Sequence, residues 1–416
     1  MTEMMQHSPT RSTTEERSAE EVMVAARLPG RRQLCQSLVG PLLCLLISLL
    51  LAGCGWSDEP EPVAVPIGLL VPASSELSTV AEAMQNGARL AVDQVNGEGG
   101  ILIGDQRHWV ILVVADDQNV PDMAVEAARK LIFQDNVQAI IGPATSRTAL
   151  AVAPIAEAAG VPLITPTATH SEVTAGRQFV FRVAFSDEFQ GQVLAEFARR
   201  SLQVERAAVL YDITNSYNRG MAEIFQSAFA ELGGQIVAME RYQVGETDFR
   251  PMLNRIDAAA AELIFLPNFA TDVLLQAQQA RALGMAALLM GSDSWEWQRL
   301  VPERALEGAY FSSHFNPEQG NPASQPFVTA YQSRYNQRPT GGAALTYDAF
   351  QLLFMAMTGQ AALEAGAIQE GLVAVTEFRG VTGIMHYDDG RRDPRRSAVI
   401  LQFLDGQVRF FELVDP

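Results

Sequence analysis

"VQAIIGPATSRTALAVAPIAEAAGVPLIT", Val137 to Thr165, decides the fold. Its opening residues, 137–141, are a short apolar run of strand character, and residues 147–159 form a helical window. Val161 to Ile164 is a second short apolar run, after which Thr165 and Pro166 turn the chain out of the sheet. A strand, a helix and a second strand joined by short turns describe a parallel crossover unit.

The same unit recurs in both directions. Strands are expected at 63–70, 109–115, 179–184, 206–211, 235–242, 262–266 and 286–290. Helices are expected at 79–95, 121–134, 188–201, 218–232, 249–260 and 270–283. In the first of these helices Val80, Met84, Ala88, Ala91 and Val95 recur at spacings of three and four. Alternation on this scale implies parallel sheets covered by helices on both faces, and the strands are too many for one compact sheet. Two successive α/β lobes follow, with a first boundary near Ala184 to Asp187. "NGEGG" at 96–100 reads as a helix stop and turn. Toward the C-terminus the alternation breaks into helices at 323–337, 342–358 and 368–377, then a hairpin, "AVILQFLDGQVRFFELV", turned at Asp405-Gly406.

Composition narrows the function. The formal charge of −18 disfavours nucleic acid and anionic membrane surfaces as partners. His108, His170, His314 and His386 are scattered, and none stands at metal-ligand spacing from another His or Cys. No nucleophile elbow, Walker loop or dinucleotide fingerprint follows a strand, so no catalytic residue, metal or cofactor is expected. Lysine occurs once, at Lys130.

Ligands of open parallel sheets bind at the carboxyl edges of strands, beside helix N-termini that offer free N–H groups. Three such edges are polar. Ser146 follows strand 137–141 at the start of a helix; Thr167, Ala168 and Thr169 follow strand 161–164; Asp293 and Trp295 follow strand 286–290 in the second lobe. Hydroxyls beside a helix N-terminus suit a carboxylate, and an acid on the facing lobe suits an ammonium, so the set describes a zwitterion site. Each residue also has a plainer reading. Ser146 and Thr169 fit ordinary N-caps, and Asp293 fits a cap for "SWEWQRLVP".

The N-terminus concerns address. Arg31 and Arg32 precede the apolar run "LVGPLLCLLISLLLAGC", Leu38 to Cys54, which is short for a membrane span and ends in small residues. "LAGC", Leu51 to Cys54, resembles a bacterial lipobox. Residues 1–53 then read as a lipoprotein signal peptide, with lipid on Cys54 and a polar, proline-rich stalk at 54–62; the rival reading is an unprocessed N-terminal anchor with an incidental cysteine. Cys35 and Cys44 leave with the signal, which excludes disulfides and thiol catalysis in the mature chain.

The phrases "IGLLVP", "NGARLAVDQVNGEGGI", "ADDQNVPDMAVEAARKLI", "VQAIIGPATS", "AGVPLITPTAT", "FRVAFSDEFQG", "LTYDAFQLL" and "GVTGIMHYDDG" stand in this order between about Val63 and Leu413. In this the chain resembles the type I periplasmic binding proteins of the branched-chain amino acid class, substrate-binding subunits of ABC importers. The resemblance implies two Rossmann-like lobes with parallel sheets, joined by three crossing strands near Ala184, Ser313 and Gly383, with the ligand cleft between them. Lobe one is then 63–185 plus 313–382, and lobe two 186–312 plus 383–416. It further implies that Ser146 and Thr169, with backbone of Thr167 and Ala168, hold a ligand carboxylate. Asp293 would meet the ammonium, Asp187 would be a second acid near it, Tyr217 would close over the ligand, and Phe269 would be an aromatic wall. Two departures stand out. The first loop, "PASSELSTVAEA", lacks the family's aromatic residue and following glycine, and Asn119 and Thr145 occupy the places of a disulfide found in some members.

The expected function is a lipid-anchored extracytoplasmic receptor for an amino acid or small amide, delivering it to an ABC permease. The competing expectation is an envelope lipoprotein that uses the fold to sense or regulate another protein. Gly55, where an aspartate would retain a lipoprotein at the inner membrane, favours that second reading.

Overall fold

The computed structural model describes residues 63–318 and 321–416. The signal segment, Cys54 and the stalk lie outside the described residues. Six strands make the first sheet: β1 (Val63–Val71), β2 (Ile101–Ile103), β3 (Gln106–Asp116), β4 (Ile140–Ile141), β5 (Leu163–Thr165) and β6 (Val180–Arg182), in the spatial order β2-β3-β1-β4-β5-β6. All its pairings are parallel except the hairpin of β2 with β3.

The second sheet takes β7 (Arg206–Asp212), β8 (Gln235–Tyr242), β9 (Leu263–Leu266), β10 (Leu288–Gly291) and β11 (Tyr310–Ser313). A small antiparallel pair follows, β12 (Glu377–Gly380) with β13 (Gly383–His386). Strands β14 (Ala398–Leu404) and β15 (Gln407–Val414) then complete the second sheet, in the order β15-β14-β11-β10-β9-β7-β8. The chain therefore runs between lobes after β6, after β11 and before β14.

Strand alternation decides how the first sheet is covered. Val65, Ile67, Leu69 and Val71 face the helices Ser78–Gly97 and Gly341–Met357, while Leu70 and Ile140 face Pro121–Phe133 and Ser146–Ala159. A sheet covered on both faces explains why its strands read as unbroken apolar runs. In lobe two, helices Asp187–Glu196 and Ser216–Glu231 cover one face, and Arg250–Ala258 with Ala270–Ala282 the other.

Three details differ from the sequence reading. Strand β2, of three residues, was not expected, because a run so short carries no usable periodicity, and β11 was expected only through the resemblance, as the crossing near Ser313. The helix placed at 368–377 is Ala365–Ala374, and Glu377 already begins β12. Residues 383–387, expected in the second lobe, send Met385 and Tyr387 into the core of the first. A reason is visible: the β12-β13 turn is held to lobe one by Asp348, whose carboxylate accepts from Val381 N at 2.7 Å, Thr382 N at 2.9 Å and Thr382 Oγ1 at 2.6 Å.

Candidate functional site

The carboxyl edge of the first sheet is organised by one helix N-terminus. Thr145, not Ser146, is the N-cap of Ser146–Ala159, its side chain accepting from Thr148 N. Ser146 is thereby released from the capping role. Its buried Oγ lies 3.3 Å from Thr169 N and 3.2 Å from His170 N, accepting from both. The hydroxyl hydrogen remains free to donate, in the positive field of a fourteen-residue helix. Ala168 and Thr169 are buried beside it. Thr167 turns its hydroxyl away, donating to Ala144 O at 2.6 Å.

Arg182, fully buried on β6, fixes this edge from behind. Its guanidinium donates to Thr169 O and, at 2.6 Å, to His170 O. Nearby, Thr145 Oγ1 donates to Asn119 Oδ1 at 2.9 Å, and Asn119 Nδ2 donates to Glu76 Oε1 at 2.8 Å. A hydrogen bond thus joins the two positions that the resemblance matches to a disulfide of some members, and Asn119 draws the first loop into the same network.

On lobe two, Asp293 follows β10 and is the hub of a buried polar cluster. Oδ1 accepts from Gln190 Nε2 at 2.7 Å and from the Tyr217 hydroxyl at 2.5 Å, and Oδ2 lies 2.9 Å from His314 Nε2. Burial opposes ionisation of Asp293, but the His314, Tyr217 and Gln190 contacts outweigh it and hold the carboxyl below its ordinary range. Tyr217 is pushed well up by its burial and then by Asp293, so the phenol stays a donor. The half-buried ring of Phe269 lies 6.2 Å from that of Tyr217. Trp295 takes no part: it is 2 % exposed, donates Nε1 to Leu266 O at 3.0 Å and packs on Phe311 in the core.

Asp187 is the unusual group. It opens helix Asp187–Glu196, and its backbone N–H donates to Thr169 O at 3.0 Å, joining the two lobes at this edge. The side chain is buried, and neither carboxylate oxygen has a hydrogen-bond partner of good geometry. Burial raises its pKa to about 7; the nearby Thr169 hydroxyl lowers it and Asp293 raises it further. Asp293 is saturated with donors, while Asp187 has only the Thr169 hydroxyl nearby, outside good hydrogen-bond geometry.

The structure therefore gathers Ser146, Thr169 and Asp187 at one edge, and Tyr217, Asp293 and Phe269 at the facing one. The lobes also touch at the rim, where Thr79 Oγ1 lies 3.5 Å from Glu296 Oε2. Sequence reasoning missed Arg182, Gln190 and His314 as members of this set. Gln190 and Arg182 lie inside "FRVAFSDEFQG", whose order marked them without showing what they touch. Among the described residues no group of three or more His, Cys, Asp or Glu could hold a metal ion, and no helix is long and apolar enough to cross a membrane.

Comparison with known proteins agrees with this architecture. The family model described as "Periplasmic binding protein" matches residues 64–407. The Leu/Ile/Val-binding protein BraC3 of Rhizobium johnstonii is 30 % identical over 230 residues, a match that covers 55 % of this chain and 61 % of that protein. The leucine-, isoleucine-, valine-, threonine-, and alanine-binding protein of Pseudomonas aeruginosa is 26 % identical over 329 residues, 78 % of this chain and 86 % of its own. The branched-chain amino acid transporter substrate-binding protein LivJ of Streptococcus pneumoniae, solved in complex with isoleucine, superposes with a TM-score of 0.78 at 30 % identity, covering 85 % of this chain and all of the other. These relatives and neighbours are substrate-binding proteins, not enzymes. With a family model matched along most of its length and two α/β lobes facing across a cleft, the chain belongs to the periplasmic binding protein family.

Proposed function

We propose that this protein is an extracytoplasmic receptor for an α-amino acid or a small amide, held to a membrane by lipid on Cys54, which hands its ligand to an ABC permease. The observation that carries the reading is Asp187: a buried carboxylate with no hydrogen-bond partner of good geometry, beside Ser146 and Thr169 at a helix N-terminus. Leaving such a group unpaired is costly, and an ammonium supplies what it lacks. A ligand carboxylate would take the free hydroxyl hydrogen of Ser146 and the hydroxyl of Thr169. Asp293, already holding three donors, would orient Tyr217 and Gln190 and add negative potential. The amino acids for which the Pseudomonas protein is named, and the isoleucine bound by the Streptococcus protein, support the head-group assignment. The family implies a location outside the cytoplasm.

The side-chain pocket is a separate matter. The loop that carries an aromatic residue in resembling proteins here offers Ser75 and Glu76, both polar. A ligand with a polar or amide side chain fits that rim better than a large aliphatic one. The sequence feature favouring the non-transport reading is Gly55, and it bears on the membrane the lipid enters, not on the head-group site.

Calorimetry of the fragment beginning after Cys54, against a panel of amino acids and amides, tests the receptor. Binding of at least one α-amino acid is the expected result, and neither heat nor thermal shift with any of them overturns it. The mass of the mature N-terminal peptide tests the anchor independently.

A further inference from the structure

His314 stands where the chain leaves β11 for its second passage between lobes. Its ring is buried against Phe185 of the first passage, with centroids 3.7 Å apart and planes at 32°. One ring nitrogen, Nε2, lies 2.9 Å from Asp293 Oδ2; the other, Nδ1, is buried with no partner. Its backbone carbonyl accepts from Arg396 at 3.0 Å. The same guanidinium donates to Val183 O on the first passage and Thr382 O beside β13, both at 2.8 Å. One residue therefore joins the lobe-two acid to the segments about which the lobes turn.

We propose that His314 is a positioning residue for ligand capture: from the hinge, its Nε2–H holds the Asp293 carboxylate where it completes the closed cleft. The inference rests on the head-group reading above and adds to it the element that orients the second acid. The charged groups bearing on the ring are Asp293, Arg396 and Arg182. Burial disfavours the imidazolium; Asp293 favours it, and the two arginines oppose it, leaving the pKa below its ordinary value. In a neutral ring whose Nε2 faces the Asp293 carboxylate at 2.9 Å, the proton belongs on Nε2, the tautomer that can donate to that acceptor.

The test uses the soluble fragment and three proteins: wild type, His314→Gln and His314→Phe. The glutamine amide can place an N–H near the site of Nε2, whereas phenylalanine keeps the stacking on Phe185 and loses the donor. Two readouts are taken: the dissociation constant for an amino acid that the wild type binds, and the side-chain ¹⁵N spectrum of the histidines from pH 5.5 to 8. The expected result is a loss of about tenfold or more in His314→Phe, in line with a hydrogen bond to a charged group, and recovery of most of it in His314→Gln. The spectrum should show a neutral Nε2–H tautomer for His314 at the alkaline end of this range, with any titration below that of a free imidazole, and a shift in Asp293→Asn. Equal loss in both variants, or none in His314→Phe, overturns the proposal. Failure of the wild type to bind any amino acid sinks the head-group reading instead, and the spectrum then decides: an Nδ1–H tautomer, or a ring that titrates near pH 6.5, overturns the positioning role.

Discussion

Asp187 and Asp293 look alike in the sequence, two acids at opposite strand ends, but their surroundings divide the work between them. Asp293 accepts from Gln190, Tyr217 and His314, while Asp187 accepts from nothing of good geometry. Replacing Asp293 by alanine removes the hub and is expected to cost about 2–5 kcal/mol of ligand affinity, measured by calorimetry. Asp187→Asn should cost at least as much, since the ammonium loses the partner that no donor competes for. An Asp187→Asn protein that binds as the wild type does would assign the ammonium to Asp293 alone. The sequence made both acids visible as strand-end residues. It could not rank them, because the ranking depends on contacts such as Gln190 with Asp293, 103 residues apart.

Between elements, the informative unit is the N-terminus of helix Ser146–Ala159, where two adjacent hydroxyls do different things. Thr145 caps the helix and bonds Asn119; Ser146 accepts from the backbone of Thr169 and His170. Thr145→Ala should therefore lower stability by about 1 kcal/mol, as cap removal does, seen as a shift of the urea midpoint, with a smaller effect on affinity. Ser146→Ala should do the reverse, weakening ligand binding while sparing the fold. Equal effects of the two variants on affinity would refute this division. The helix itself was legible from its periodicity and from the strands on either side of it. Which hydroxyl caps it was not, since capping is settled by backbone angles one residue apart. The attachment of β13 to lobe one was hidden for a related reason: Asp348 in "LTYDAF" and Thr382 in "GVTG" mark one contact, but their bond is made only in the folded chain.

For the molecule as a whole, the same Asp187 bears on when the cleft closes. Its carboxylate is buried at the junction where its backbone N–H meets Thr169 O, and burial lifts its pKa to about 7 from an ordinary 3.8. In an open form, where water reaches it, the carboxyl would titrate near the ordinary value. Closing an empty cleft then either buries a bare charge or takes up a proton. Above about pH 7 the full penalty applies, with about 4 kcal/mol as its upper bound; below it the penalty falls as protonation relieves the charge, and it vanishes below the ordinary pKa. An ammonium removes it at any pH by pairing with the charge, which gives the ligand the differential affinity that closure requires. Two consequences can be measured by small-angle scattering of the ligand-free fragment. The closed fraction should rise as pH is lowered from 8 to 6, and Asp187→Asn should close further than wild type at pH 8 with little dependence on pH. A wild-type closed fraction that falls over that range, or an Asp187→Asn protein that stays as open as the wild type at pH 8, would show that Asp187 does not oppose empty closure.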